Sequence, residues 1–183
     1  MSVTFTSMRD RHYVILVIAF AWLLTPVAQS RAGDTGFIKF GAMSAAETVD
    51  SQERYEQFEL FITYGLPLSK EWEHWSFFTD IDTTAGMISD RDQQSAIGSI
   101  GPRLGFKRHP LVFDIGTRFT LVSDSELGGK ILDGPVHFSS HFRIGLRISD
   151  IEIGCRIQHM SNAGFYDNNP GLDLLVVDVG YYF

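Results

Sequence analysis

Three residues near the end of the chain carry side chains able to act together: His159, Ser161 and Asp173. A serine hydroxyl is a weak nucleophile until an imidazole removes its proton, and a carboxylate behind the imidazole holds the right tautomer. His159 and Ser161 stand two residues apart, the spacing that puts side chains on one face of a strand. Attack by such a serine on an ester carbonyl makes an oxyanion, which hydrogen-bond donors must meet. Asn162, the Gly164 backbone N–H and Asn169 are the donors nearby in sequence. Singly, each residue has a plainer reading: a strand-end histidine, a serine opening a loop, an aspartate at a loop edge. They become a candidate site only if the fold brings them to one face at one level.

Other constellations fail on geometry or number. His137 and His141 are four apart, which in a strand separates them by ~13 Å, too far to share a metal. Asp80-Ile81-Asp82-Thr83-Thr84-Ala85-Gly86 has the start of a calcium loop, but its glycine comes one place late. Arg91 also stands where a bidentate acid is needed. Cys155 is the single cysteine, so no internal disulfide forms, and no zinc or iron–sulfur spacing is present. Neither a metal nor any other cofactor is expected. The formal charge of −7, with no Lys/Arg block, excludes a nucleic-acid partner, which requires a basic stripe.

The elements that must position these residues are strands. Residues 1–32 are first set aside as an export signal: Arg9 and Arg11 precede an apolar run from Tyr13 to Leu24, followed by Pro26 and the small-residue pattern Ser30-Arg31-Ala32. That run is well short of the ~20 residues of a spanning helix. Residues 33–183 then form one domain with no linker. Alternation of period two runs through it. It is clearest at Leu111–Val122 and at Val136–Ile148, where Phe138, Phe142, Ile144 and Leu146 alternate with His137, His141, Arg143 and Arg147. Weaker versions at Gly36–Ala42, Tyr55–Leu66, Trp72–Thr84 and Ser95–Phe106, with Asp150–Asn162 and Leu172–Phe183, make eight strands. Pro102 is an awkward inclusion in the fourth.

Alternation does not say which face is dry. A lipocalin-like carrier turns the apolar face inward, whereas an outer-membrane barrel turns it to lipid. The polar faces carry both signs (Asp114, Arg118, Arg143, Arg147, Glu152, Arg156, Asp178) and can pair inside a narrow lumen. The strands approach the ~9 to 11 residues of a tilted spanning strand, and the sequence closes on the apolar strand Val177–Phe183. The expectation is an all-β, eight-stranded antiparallel transmembrane barrel of the bacterial outer membrane. Ile151, Ile153, Cys155 and Ile157 then face lipid, and the same parity reaches His159 and Ser161. In the last strand it runs from Phe183 back to Asp173. An antiparallel hairpin joins the two strand tops. Ten residues of strand, ~33 Å, tilted by about 40°, span roughly the apolar band, which puts the patch at the outer-leaflet interface.

His159-Met160-Ser161-Asn162-Ala163-Gly164, then Asn169, Gly171 and an acid fourteen places after the histidine, resembles the C-terminal signature of the PagL-type lipid A 3-O-deacylases. The likeness covers about residues 156 to 183 and upstream is one of architecture. It implies an eight-stranded outer-membrane barrel that hydrolyses a 3-hydroxyacyl ester of lipid A in the outer leaflet. Ser161 would be the nucleophile, His159 the general base and Asp173 the orienting acid. One departure stands out: the resembled pattern has Glu where this chain has Asp173, one methylene shorter. The implied partners are lipopolysaccharide and membrane lipids, and a homodimer is left open. The alternative is a small non-catalytic barrel with a structural or adhesive role, which explains the strands but not the aligned His, Ser and Asp.

Overall fold

The computed structural model describes residues 38–47, 55–90, 93–124, 126–127 and 130–183. The expected export signal, and the first two residues of the first expected strand, lie outside these. Within Gly33–Phe183 the chain forms β1 (Ile38–Glu47), β2 (Glu56–Gly65), β3 (Lys70–Trp72), β4 (Trp75–Ser89), β5 (Gln94–Arg108), β6 (Leu111–Val122), β7 (Glu126–Leu127), β8 (Lys130–Ile131), β9 (Val136–Ile148), β10 (Ile151–Ser161) and β11 (Leu172–Tyr182). The eight long strands pair antiparallel with their neighbours. β1 pairs with β11 to close the cylinder. β3 is a short arm on β4, and β7 with β8 forms a separate two-stranded ribbon.

Three strand limits differ from the expected ones. β1 continues past Ala42 to Glu47, because Met43 and Ala45 still point inward while the outward Ser44 and Ala46 are too small to mark the alternation. β4 begins at Trp75, since the chain leaves the short β3 and reverses at Glu73 (φ 54) before β4 starts. It then continues to Ser89, with Gly86 lying so close to β2 that a Cβ would fall 2.0 Å from the Phe58 carbonyl oxygen. β5 does pass through Pro102. Pro102 pairs with Ile81 of β4, while toward β6 the ladder is interrupted between Ile100↔Phe119 and Arg103↔Gly116, as a residue without an N–H requires.

The faces are those of a membrane barrel and not of a carrier. Ile115, Phe142, Ile144, Ile153, Ile157 and Val177 are exposed on the outer wall. Glu59, Asp82, Arg118, Arg143, Glu152 and Asp178 are buried in the lumen. The Arg143 guanidinium bonds Asp178 at 2.7 Å and Asp114 at 3.2 Å, and lies 2.8 Å from Glu152. Lys39 reaches Glu152 at 2.8 Å, and Arg103 grips Asp80 through two bonds of 2.8 and 2.9 Å. Asp80, Asp82 and Thr84, the start of the rejected calcium loop, are inward residues of β4. Glycine makes room for the largest of these groups: a Cβ on Gly154 would lie 2.2 Å from an Arg143 nitrogen.

The lumen changes character along its length. Toward the long connections it is filled by Met43, Tyr55, Ile88, Val122, Leu132, Met160, Leu172 and Leu174, with other buried apolar residues. Met160, Leu172 and Leu174 are the inward neighbours of His159, Ser161 and Asp173. This apolar plug therefore fixes the backbone on which the candidate residues stand, as a precise site needs.

Candidate active site

β10 and β11 are in unbroken antiparallel register, with His159 opposite Asp173 and Met160 opposite Leu172. The two polar side chains point outward, each about half exposed, and His159 Nδ1 lies 2.8 Å from Asp173 Oδ1. An ionised carboxylate only accepts, so the bond places the ring proton on Nδ1 and leaves the lone pair on Nε2. The Cε1 to Nε2 edge of the ring faces Gly171: a Cβ there would stand 3.0 Å from Cε1 and 3.7 Å from Nε2. Gly171 comes one step before Leu172, at the level of Ser161, so the basic edge of the imidazole is turned toward the serine's end of the site. The Ser161 hydroxyl makes no hydrogen bond among the described residues, which keeps it available.

The loop that follows is built around Asn162. Its buried side chain donates from Nδ2 to the Asn168 carbonyl at 2.6 Å and to that of Leu132 at 3.4 Å, and accepts at Oδ1 from Gly164 N–H at 2.9 Å. The Phe165 N–H closes the turn onto the Asn162 carbonyl at 3.0 Å. Ala163 (φ 54) and Gly164 (φ 80) lie between them, both left-handed. Two such residues in succession define a type I′ turn, to which glycine is suited and alanine is not. Asn168 N–H donates to Asp133 at 3.0 Å, and Tyr166 packs against Gly134. The loop is thus tied to the segment before β9.

These bonds sort the expected oxyanion donors. The Asn162 amide and the Gly164 N–H are spent inside the loop. Asn169 accepts from the Asn162 N–H at 3.1 Å through Oδ1, which leaves its Nδ2 hydrogens unspent on an exposed side chain. Asp167, the other carboxylate of the loop, is exposed and makes no hydrogen bond among the described residues. His137 and His141 both turn into the lumen, where His137 bonds the Gly134 carbonyl at 3.0 Å and His141 lies 3.4 Å from Asp114.

Two features were not anticipated from sequence. Gly171 is the wall of the imidazole, a role seen only once the left-handed backbone (φ 64) is known. Beside Ser161, its register partner Phe138 carries the exposed Phe165 stacked on it at 5.7 Å, and Phe119 edge-on at 5.9 Å. Strand register could have found Phe138; the loop residue Phe165 had no periodic signal. A separate cavity of about 490 Å³, bordered by Lys107, Arg108, Arg147 and Tyr182, lies at the opposite mouth of the barrel.

Fold and site together define a small membrane-type β-barrel with a hydrogen-bonded histidine–aspartate pair on its outer wall beside a serine. The chain belongs to the lipid A 3-O-deacylase (PagL) family, whose model matches residues 56–182. It is 31% identical over 71 residues to "Lipid A deacylase PagL" of Bordetella bronchiseptica, a match that spans 38% of this chain and 40% of that protein's length. Among solved structures it is similar to the outer membrane enzyme PagL, with a TM-score of 0.66 and 17% identity, covering 78% of this chain and 98% of that one. At that identity the structural likeness is one of fold.

Proposed function

We propose that this chain is a serine esterase of the bacterial outer membrane that removes the 3-O-linked 3-hydroxyacyl chain of lipid A, with its site at the outer leaflet. The observation that carries the reading is the 2.8 Å bond between His159 Nδ1 and Asp173 Oδ1 on the apolar outer wall. A structural barrel has no use for an oriented imidazole there. The short turns His109–Pro110 and Ser149–Asp150 lie at the end where the described strands begin and finish. Outer-membrane barrels keep short turns on the periplasmic side. An orientation of this kind, with His159 at the other end, supports a site at the level of lipid A.

In the reaction Ser161 Oγ attacks the acyl carbonyl while His159 Nε2 takes its proton, Asp173 stabilising the imidazolium. The oxyanion is met by Asn169 Nδ2, the one of the three candidate donors that the loop leaves unspent. Collapse breaks the bond between the carbonyl carbon and the sugar oxygen, which leaves as the 3-hydroxyl with the proton from His159. Water, deprotonated by the same imidazole, then cleaves the acyl-serine and releases the free 3-hydroxy fatty acid. Mass spectrometry of lipid A from expressing cells tests the reading. The expected result is loss of one 3-hydroxyacyl chain with the intact protein and no loss with Ser161→Ala or His159→Ala. Unchanged lipid A in cells holding the folded barrel would overturn it.

A further inference from the structure

The outer wall beside the site has a pattern that the hydrolysis itself does not use. Thr117 of β6, Ser140 of β9, His159 of β10 and Asp173 of β11 are successive register partners, one polar row crossing four strands. One step toward the loops stand Phe119 and Phe138, with Phe165 stacked on the latter. One step the other way stand Ile115, Phe142 and Ile157. The row is therefore a notch between two apolar ledges. A cavity of about 430 Å³ joins Ser140, Phe142 and Ile157 to His159 and Asp173. The hydroxyls of Thr117 and Ser140 have no hydrogen-bond partner among the described residues, although their neighbours on the outer wall above and below are apolar.

We propose that this notch is the acyl subsite, and that Ser140 determines specificity by hydrogen-bonding the 3-hydroxyl of the scissile chain. The inference rests on the esterase reading and names what the same site selects. Ser140 is the diagonal neighbour of Ser161 across the β9–β10 pair, a separation of ~7 to 8 Å. Four bonds from Ser161 Oγ through C1, C2 and C3 to the 3-hydroxyl, plus one hydrogen bond of about 2.8 Å, cover that gap. A hydroxyl at C2 is one bond short of that reach. Beyond C3 the chain continues over Thr117 between the Phe119–Phe138 and Ile115–Phe142 ledges.

The test uses the full-length protein folded in detergent, with two glucosamine 3-O-esters of equal chain length, one carrying the 3-hydroxyl and one lacking it. Wild type is expected to prefer the hydroxylated ester in kcat/KM. Ser140→Ala should reduce that preference about tenfold, the worth of one hydrogen bond, and Ser140→Thr should restore it. Reaction of Ser161 with a small fluorophosphonate, which does not reach the notch, shows that each variant is folded and active. A preference unchanged in Ser140→Ala, or equal hydrolysis of both esters by wild type, overturns the subsite. Hydrolysis of neither ester, with no fluorophosphonate labelling, overturns the esterase reading itself.

Discussion

At the scale of single residues, the proposed chemistry depends on how His159 is held from two sides. Asp173 holds Nδ1 by the 2.8 Å bond. Since triad members contribute unequally, Asp173→Asn is expected to slow deacylation more than about tenfold, yet by less than Ser161→Ala. Asp173→Glu restores the acid of the resembled family pattern and should retain most turnover, the exposed position leaving room for the extra methylene. Asp167→Asn should leave turnover unchanged, and inactivation there with Asp173→Asn active would reassign the acid. On the other side Gly171 has φ 64, and an added Cβ would press on Cε1 at 3.0 Å. Gly171→Ala combines backbone strain with a displaced ring. It should lower kcat toward that of His159→Ala while the protein still shows the heat-modifiable migration of a folded barrel. The three catalytic candidates were legible in the sequence because spacing and parity alone placed them on one face. The fate of the donors was not: which amide hydrogens the loop consumes depends on the turn at Ala163–Gly164 and on contacts with Leu132 and Asp133, separated by about thirty residues.

At the scale of elements, strand parity was the information that mattered most. A strand shifted by one residue exchanges its faces completely, so the alternation of Val136–Ile148 and Ile151–Ser161 already implied both the lumen charges and the outward site. Where small residues interrupt the alternation, as at Ser44, Ala46 and Gly86, the pattern faded before the strand ended, and pairing with neighbours decided the boundary. The short arm β3 and the ribbon β7–β8 left no period at all. Parity is directly testable in β6, where Leu121 is exposed and its neighbour Thr120 fully buried. In liposomes, with the outward Cys155 first replaced by alanine, Leu121→Cys is expected to react with a membrane-soluble maleimide and Thr120→Cys not to react. The reverse pattern would mean that the strand faces the other way.

At the scale of the whole molecule, the barrel has two interiors with different tasks. The apolar plug under the loops steadies the strand tops, while the lower lumen is bound together by charge, with Arg143 at its centre between Asp178, Glu152 and Asp114. Removing one partner from a buried ionic cluster leaves the others uncompensated, at a cost of about 3 to 5 kcal/mol. Arg143→Met should therefore lower the free energy of unfolding in detergent by an amount of that order, read as a fall in the urea midpoint. Arg143→Lys should recover little of it, because a single ammonium lacks the planar fork that bonds several carboxylates together. Cys155→Ala, on the outer wall, should leave the midpoint near that of wild type. Because Arg143 is absent from the residues packed beneath His159 and Ser161, the folded fraction of Arg143→Met should deacylate with the kcat of wild type. A normal midpoint in Arg143→Met would show that the lumen charges are solvated individually and that the apolar plug holds the barrel by itself; a depressed kcat at full folding would show that the two interiors are coupled.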